Sequence, residues 1–286
     1  MKNIKEYFIV AILTLIHSVS SAQVLTVTIP FPPGGATDQI WRVLEPMLSS
    51  ELSASGIVLT TEYIPGAGGS IGAAKVAKSN DYRLLFTSTS VAIGNYAYDP
   101  ADLLTLGYFG TLPMFVAVPV SGPATYTDFI KECKQGTYSY ATPGVGSTIH
   151  LMSLAFLQKI NCTATHVPYK STTPALPDLV AGRISFVVDF GTSATAELVT
   201  QGRLRHLKNL DTEEIKNWHI LASSKNIDPA LSASVNTALH KIFKDQSRVA
   251  NLKKLGLQGV GFPVAQDFVY HQHKLFQKYL QDKKLQ

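Results

Sequence analysis

Four stretches rich in glycine and hydroxyls are where this sequence could do chemistry. The first is Pro30-Phe31-Pro32-Pro33-Gly34-Gly35-Ala36-Thr37-Asp38. Its prolines stiffen the chain, its glycines allow positive φ and close backbone approach, and Thr37 or Asp38 can cap a following helix. The second is Pro65-Gly66-Ala67-Gly68-Gly69-Ser70-Ile71-Gly72, and the third, Thr87-Ser88-Thr89-Ser90, gathers hydroxyls at a strand end. The fourth, Thr142-Pro143-Gly144-Val145-Gly146-Ser147-Thr148, precedes a helical pattern carrying His150. A glycine loop opening a helix presents free N–H groups at the positive end of the helix dipole, which favours an anion. None of the four contains Lys or Arg, so an anion held there would rely on backbone N–H groups, hydroxyls and bridging water.

Other chemistries fit less well. Gly68-x-Ser70-x-Gly72 has the form of a hydrolase nucleophile elbow, with Asp189 and then His206 or His219 as partners. Glycine is so dense there that the pattern arises by chance, and nothing local supports the pairing. A dinucleotide fingerprint fails because Ile71 stands where its third glycine belongs, and the next strand ends without an acid. His271 and His273 diverge on a helix, so no metal and no cofactor are expected. Asp38 and Asp189 read as a cap and as a loop-ordering or ligand-amine contact. His150 and His166 read as structural histidines.

These loops sit between alternating strands and helices. The pattern predicts strands over 24–29, 58–63 and 83–87, with helices over 37–48 and from 71 to 77. A second set places strands over 115–119, 137–141, 164–168 and 184–189, with helices over 127–133, 149–158, 174–180 and 192–200. A short strand over 219–222 then leads into helices over 229–244, 247–255 and 264–280. Such βαβ order implies parallel sheets with helices on both faces, and ligands bind at the carboxyl ends of their strands. Two consecutive open sheets suggest two α/β lobes. The expected division is 23–112 plus 218–286 for the first lobe and 113–217 for the second. The last helices would return to the first lobe, making two crossovers.

Composition bounds the rest. At 286 residues, 45% hydrophobic and 16% charged, the chain reads as a soluble globular protein. Its net charge of +5 is mild and its basic residues are scattered, so nucleic acid is not an expected partner. Lys2 and Lys5, the apolar run 7–16 and Ser20-Ser21-Ala22 have the form of an export signal cleaved near Ala22. The apolar run is too short to span a bilayer. Cys133 and Cys162 would then meet an oxidising compartment, as a disulfide or as two thiols.

Taken together, the motifs resemble those of the Bug, or TctC-like, periplasmic solute-binding proteins. Residues 27–38 resemble the first loop of that family and 65–72 its second glycine motif. Residues 140–151 resemble the third, and His166-Val167-Pro168-Tyr169-Lys170 with Pro174-Ala175 and Asp178-Leu179 the segment after it. The resemblance implies two Rossmann-like lobes on a two-crossover hinge, the type II Venus-flytrap architecture of periplasmic receptors. It implies a monomeric receptor of the tripartite tricarboxylate transporter type, capturing a small carboxylate or related polar solute and serving membrane transporter subunits. Carried over position by position, the ligand contacts are Phe31, Gly35, Ala36, Asp38, Ser88, Thr142, Gly146, Ser147 and Thr148. Two departures stand out: Ser171 replaces a usual glycine, and the chain between Leu207 and Trp218 lacks a proline-rich stretch ending in Pro-Thr-x-x-Glu. That region helps to close the family structure behind the hinge. The alternatives are a sensor for a signalling partner and a secreted hydrolase using Ser70.

Overall fold

The computed structural model describes residues 23–93, 97–190, 193–210, 216–261 and 263–283; the export segment expected over 1–22 lies outside them. No helix among the described residues is long and apolar enough to cross a membrane. In chain order the first elements are β1 (Gln23–Ile29), α1 (Ala36–Ser53), β2 (Ile57–Tyr63), α2 (Ser70–Ala77), β3 (Arg83–Ser88) and β4 (Leu103–Leu112). Next come β5 (Met114–Pro119), α3 (Tyr126–Cys133), β6 (Ser139–Thr142), α4 (Thr148–Lys159) and β7 (Thr165–Pro168). They are followed by α5 (Leu176–Val180), β8 (Phe186–Phe190), α6 (Ser193–Thr200) and β9 (Leu204–Leu210). The chain ends with β10 (Asn217–Ser224), α7 (Pro229–Lys244), α8 (Gln246–Lys253) and α9 (Phe268–Lys283).

Two five-stranded sheets result, ordered β2-β1-β3-β10-β4 and β7-β6-β8-β5-β9. Only Pro113 separates β4 from β5, and the chain returns to the first sheet between β9 and β10. The parallel sheets expected from the strand–helix alternation are mixed. In the first, β10 runs antiparallel to both β3 and β4; in the second, β5 runs antiparallel to both β8 and β9. Each of these strands enters its sheet from the other one rather than through a right-handed helical crossover, so nothing forces it to lie parallel. The sequence reading also missed β4, an edge strand whose buried residues alternate with half-exposed ones along most of its length.

Periodicity explains the packing that holds the cleft loops in place. In α1, Ile40, Trp41, Leu44, Leu48 and Leu52 recur at helical spacing and are all buried, so the helix runs past its expected end at Leu48. Trp41 packs on Phe86 of β3 at 5.3 Å between centroids, and Phe86 meets Phe109 of β4 edge-on at 5.5 Å. The helix α7 begins where expected because Asp228 accepts the Leu231 N–H and Pro229 fills the first turn. It then packs on α1. In the second sheet Phe129, Phe156 and Phe186 form the aromatic centre, with Phe129 edge-on to Phe186 at 5.1 Å. Cys133, at the end of α3, is joined by a disulfide to Cys162, with the two Cα atoms 5.8 Å apart.

Candidate functional site

Between the two sheets lies a cleft enclosing about 630 Å³, its open mouth included. The first lobe contributes Phe31, Pro32, Gly35, Ala36 and Thr37 from the β1–α1 loop, Ser88 and Ser90 after β3, and Asn217 and His219 of β10. The second contributes Pro143, Ser147, Thr148 and Ile149 around the start of α4, the turn Ser171–Thr173, and Asp189 with Phe190 at the end of β8. Among the described residues no Lys or Arg lines it.

The β1–α1 loop follows from its sequence. Gly35 occupies the N-cap of α1 and no side chain caps that end, so the first turn opens on the cleft with its N–H groups unspent on a cap. Asp38 holds the loop from behind. Its carboxylate accepts the Gly34 N–H at 2.7 Å, the Tyr63 hydroxyl at 2.6 Å and Arg42 Nε at 2.8 Å. Burial alone would raise its pKa, but these hydrogen bonds outweigh that and hold it below the usual carboxylate value. Burial, and then the same contact with Asp38, pushes Tyr63 up to about 12.

On the other lobe, Ser147 caps α4 by accepting the His150 N–H at 3.2 Å. His150 returns the support: its Nδ1 accepts the Gly146 N–H at 3.2 Å. His166 stacks on it at 4.2 Å between centroids, and His166 Nε2 lies 2.7 Å from Thr142 Oγ1. Burial, and then repulsion from His166, pushes His150 down to about 4, so this buttress is neutral at ordinary pH.

Six of the nine expected contacts therefore line the cleft: Phe31, Gly35, Ala36, Ser88, Ser147 and Thr148. Asp38, Thr142 and Gly146 do not. Asp38 is buried with both oxygens occupied, Thr142 faces His166, and the Gly146 N–H is spent on His150. All three order loops whose neighbours face the cleft. The second glycine motif is also absent from the lining and supports it instead. Gly69 has φ +96°, and a Cβ there would sit 3.1 Å from the Phe31 ring. Gly68 approaches the opposite lobe, where a Cβ would lie 3.7 Å from Ser147 Cα. Ser70 opens α2, and among the described residues no hydrogen bond links it to a histidine or an acid. Asp189 instead orders its own turn, accepting the Phe190 N–H at 2.8 Å and the Thr195 hydroxyl. His271 pairs with Asp267, and His273 with the Ala92 carbonyl.

The sequence reading did not single out Asn217, and weighed His219 only as a partner for Ser70. Both are buried; burial alone pushes His219 down to about 3, and its Nε2 lies 3.4 Å from Thr37 Oγ1. A polar pair flanking Trp218 in an apolar strand was the available signal. Ser171, the departure from the family glycine, lines the cleft as well.

Comparisons with known proteins agree with this geometry. Residues 40–263 match the model of the tripartite tricarboxylate transporter family receptor. A UPF0065 protein of Pseudomonas sp., from the tcbD-tcbE intergenic region, is 28% identical over 268 residues, covering 83% of this chain and 79% of its own. The periplasmic binding protein BugD superposes with a TM-score of 0.80 at 20% identity, over 92% of this chain and 98% of that one. An R. palustris protein solved with adipate gives 0.79 at 23% identity, over 93% and 97%. The structural likenesses establish the two-lobed α/β fold of periplasmic binding proteins. By the family model, which spans most of its length, this chain belongs to the tripartite tricarboxylate transporter family of receptors.

Proposed function

We propose that this receptor works in the periplasm, capturing a small carboxylate between its lobes and presenting it to membrane transporter subunits without converting it. The observation that carries the reading is the cleft itself. The uncapped start of α1 and the start of α4 open into it from opposite lobes. A carboxylate gains both from the N–H groups of a first turn and from the helix dipole. Contact with both lobes would favour the closed form, which a membrane partner can read. The adipate in the R. palustris relative supports the ligand class. A hydrolytic role for Ser70 has no such support, because Ser70 is not among the residues that line the cleft and no base pairs with it among the described residues.

A thermal-shift screen of the mature chain against mono-, di- and tricarboxylates, amino acids and neutral sugars tests this. A ligand at about 100 times its dissociation constant adds about 2.7 kcal/mol. At about 2–4 °C per kcal/mol for a chain of this size, that is a rise of roughly 5–11 °C. A response confined to carboxylates is expected. Folded, ligand-free protein that responds to none of them would refute the reading.

A further inference from the structure

Three side chains on the first-lobe wall of the cleft are buried, each with a polar atom that nothing in the described structure satisfies. Ser90 and Asn217 are each 2% exposed and His219 is 1% exposed. Ser90 Oγ, Asn217 Oδ1 and His219 Nδ1 have no hydrogen-bond partner among the described residues. All three residues line the cleft. The antiparallel pairing of β3 with β10 gathers them: His219 stands opposite Ser88, two residues before Ser90. Buried polar atoms are nearly always paired, and leaving one unpaired is costly. Three together in a ligand cleft indicate a partner that arrives with the ligand.

The charge of the cleft narrows what that partner is. Ser90 and Asn217 are neutral, and burial keeps His219 neutral at ordinary pH. Among the described residues no Lys or Arg lines the cleft, whereas Asp189 does, and its oxygens already accept the Phe190 N–H and the Thr195 hydroxyl. A second carboxylate would meet no Lys or Arg among the described residues and would set its lone pairs against Asn217 Oδ1. A hydroxyl or an amide can donate to that oxygen and accept from Ser90. Phe31, Ile149 and Phe190 supply apolar walls for a carbon chain.

The geometry points to a second subsite, formed by Ser90, Asn217 and His219, that receives an uncharged hydroxyl or amide at the far end of a monocarboxylate. This assignment rests on the reading of the cleft as a carboxylate site. It makes the preferred ligand a hydroxy acid or an acid monoamide, rather than a diacid.

Calorimetry with matched linear acids tests it. At chain lengths of about four to eight carbons, the far end is varied among methyl, hydroxyl, primary amide and carboxylate. At the best-fitting length, the hydroxyl- or amide-ended acid is expected to bind about tenfold tighter than both the diacid and the unsubstituted acid. Asn217→Leu and Ser90→Ala should each reduce that preference to within about threefold, with folding checked by circular dichroism. The two substitutions lie on different elements, so either one suffices if the other fails to fold. A diacid that binds as tightly at every length overturns the subsite, as does a preference that survives the substitutions. Binding of the unsubstituted acids with no preference overturns the subsite alone. Failure of every acid to bind overturns carboxylate capture as well.

Discussion

Replacing Asp38 with alanine should loosen the β1–α1 loop without removing any atom that lines the cleft. The Gly34 N–H and the Tyr63 hydroxyl both donate to this buried carboxylate, at 2.7 and 2.6 Å. A hydrogen bond to a charged group contributes about 1.5–3 kcal/mol, and the two bonds share one carboxylate, so about 3 kcal/mol in total is expected. Arg42 is left out of this sum because its side chain is 63% exposed. At about 2–4 °C per kcal/mol, the melting temperature should fall by roughly 6–12 °C. Ligand affinity should fall too, because Gly35 and Ala36 lose their support. The pH dependence has a definite sign. The folded pKa of Asp38 lies below 3.8, so on acidification the unfolded chain takes up its proton first, near about 3.9. The contribution is complete above that pH and is lost as pH falls through the lower folded value. Asp38→Asn keeps the shape but does not titrate, so its stability should decline less between about pH 4 and pH 2. Thermal melts followed by circular dichroism at pH 7 and along an acid series read both effects. A melting temperature within about 1 °C of the wild type for Asp38→Ala would refute the reasoning, as would identical acid limbs for Asp38→Asn and the wild type.

Four further outcomes are expected. Reducing the Cys133–Cys162 bridge, which closes a span of 29 residues, should cost about 3–4 kcal/mol in a denaturant titration with and without reductant. Gly72→Ala would place a Cβ 2.8 Å from the Ile64 carbonyl and 2.9 Å from Pro30, so urea unfolding should show a loss of about 1–3 kcal/mol from the resulting overpacking. Ser70→Ala should leave ligand affinity within a few-fold by calorimetry; loss of binding would restore a role for that serine at the site. His219 and His150 have folded pKa values lowered to about 3 and about 4, so the unfolded chain binds their protons first below about pH 6.5. Their contribution is complete above that pH and declines toward pH 3. His219→Gln should therefore flatten melting temperature against pH in that window.

The sequence by itself determined the local grammar. Prolines and glycines at strand ends set the cleft loops, because they restrict or free backbone φ one residue at a time. The helices expected over 37–48 and 229–244 are present because the apolar spacing of Ile40, Trp41, Leu44 and Leu48 and the Asp228-Pro229 start are both local features. The ordered motifs carried the family resemblance for the same reason. Tertiary structure alone decided the rest, because those features depend on partners distant in the chain. Strand β4 carries Gly107 and Gly110 and weak local signals, and it exists through its pairing with β10. The direction of β5 and β10 follows from their entry across the crossovers. Asp38 became a loop anchor because Tyr63, 25 residues away, reaches its carboxylate. Asn217 and His219 look like isolated polar residues until β10 is laid against β3, which places His219 opposite Ser88. Period and capping are read along a chain, whereas which strand lies beside which is settled only when two sheets share the burial of their apolar faces.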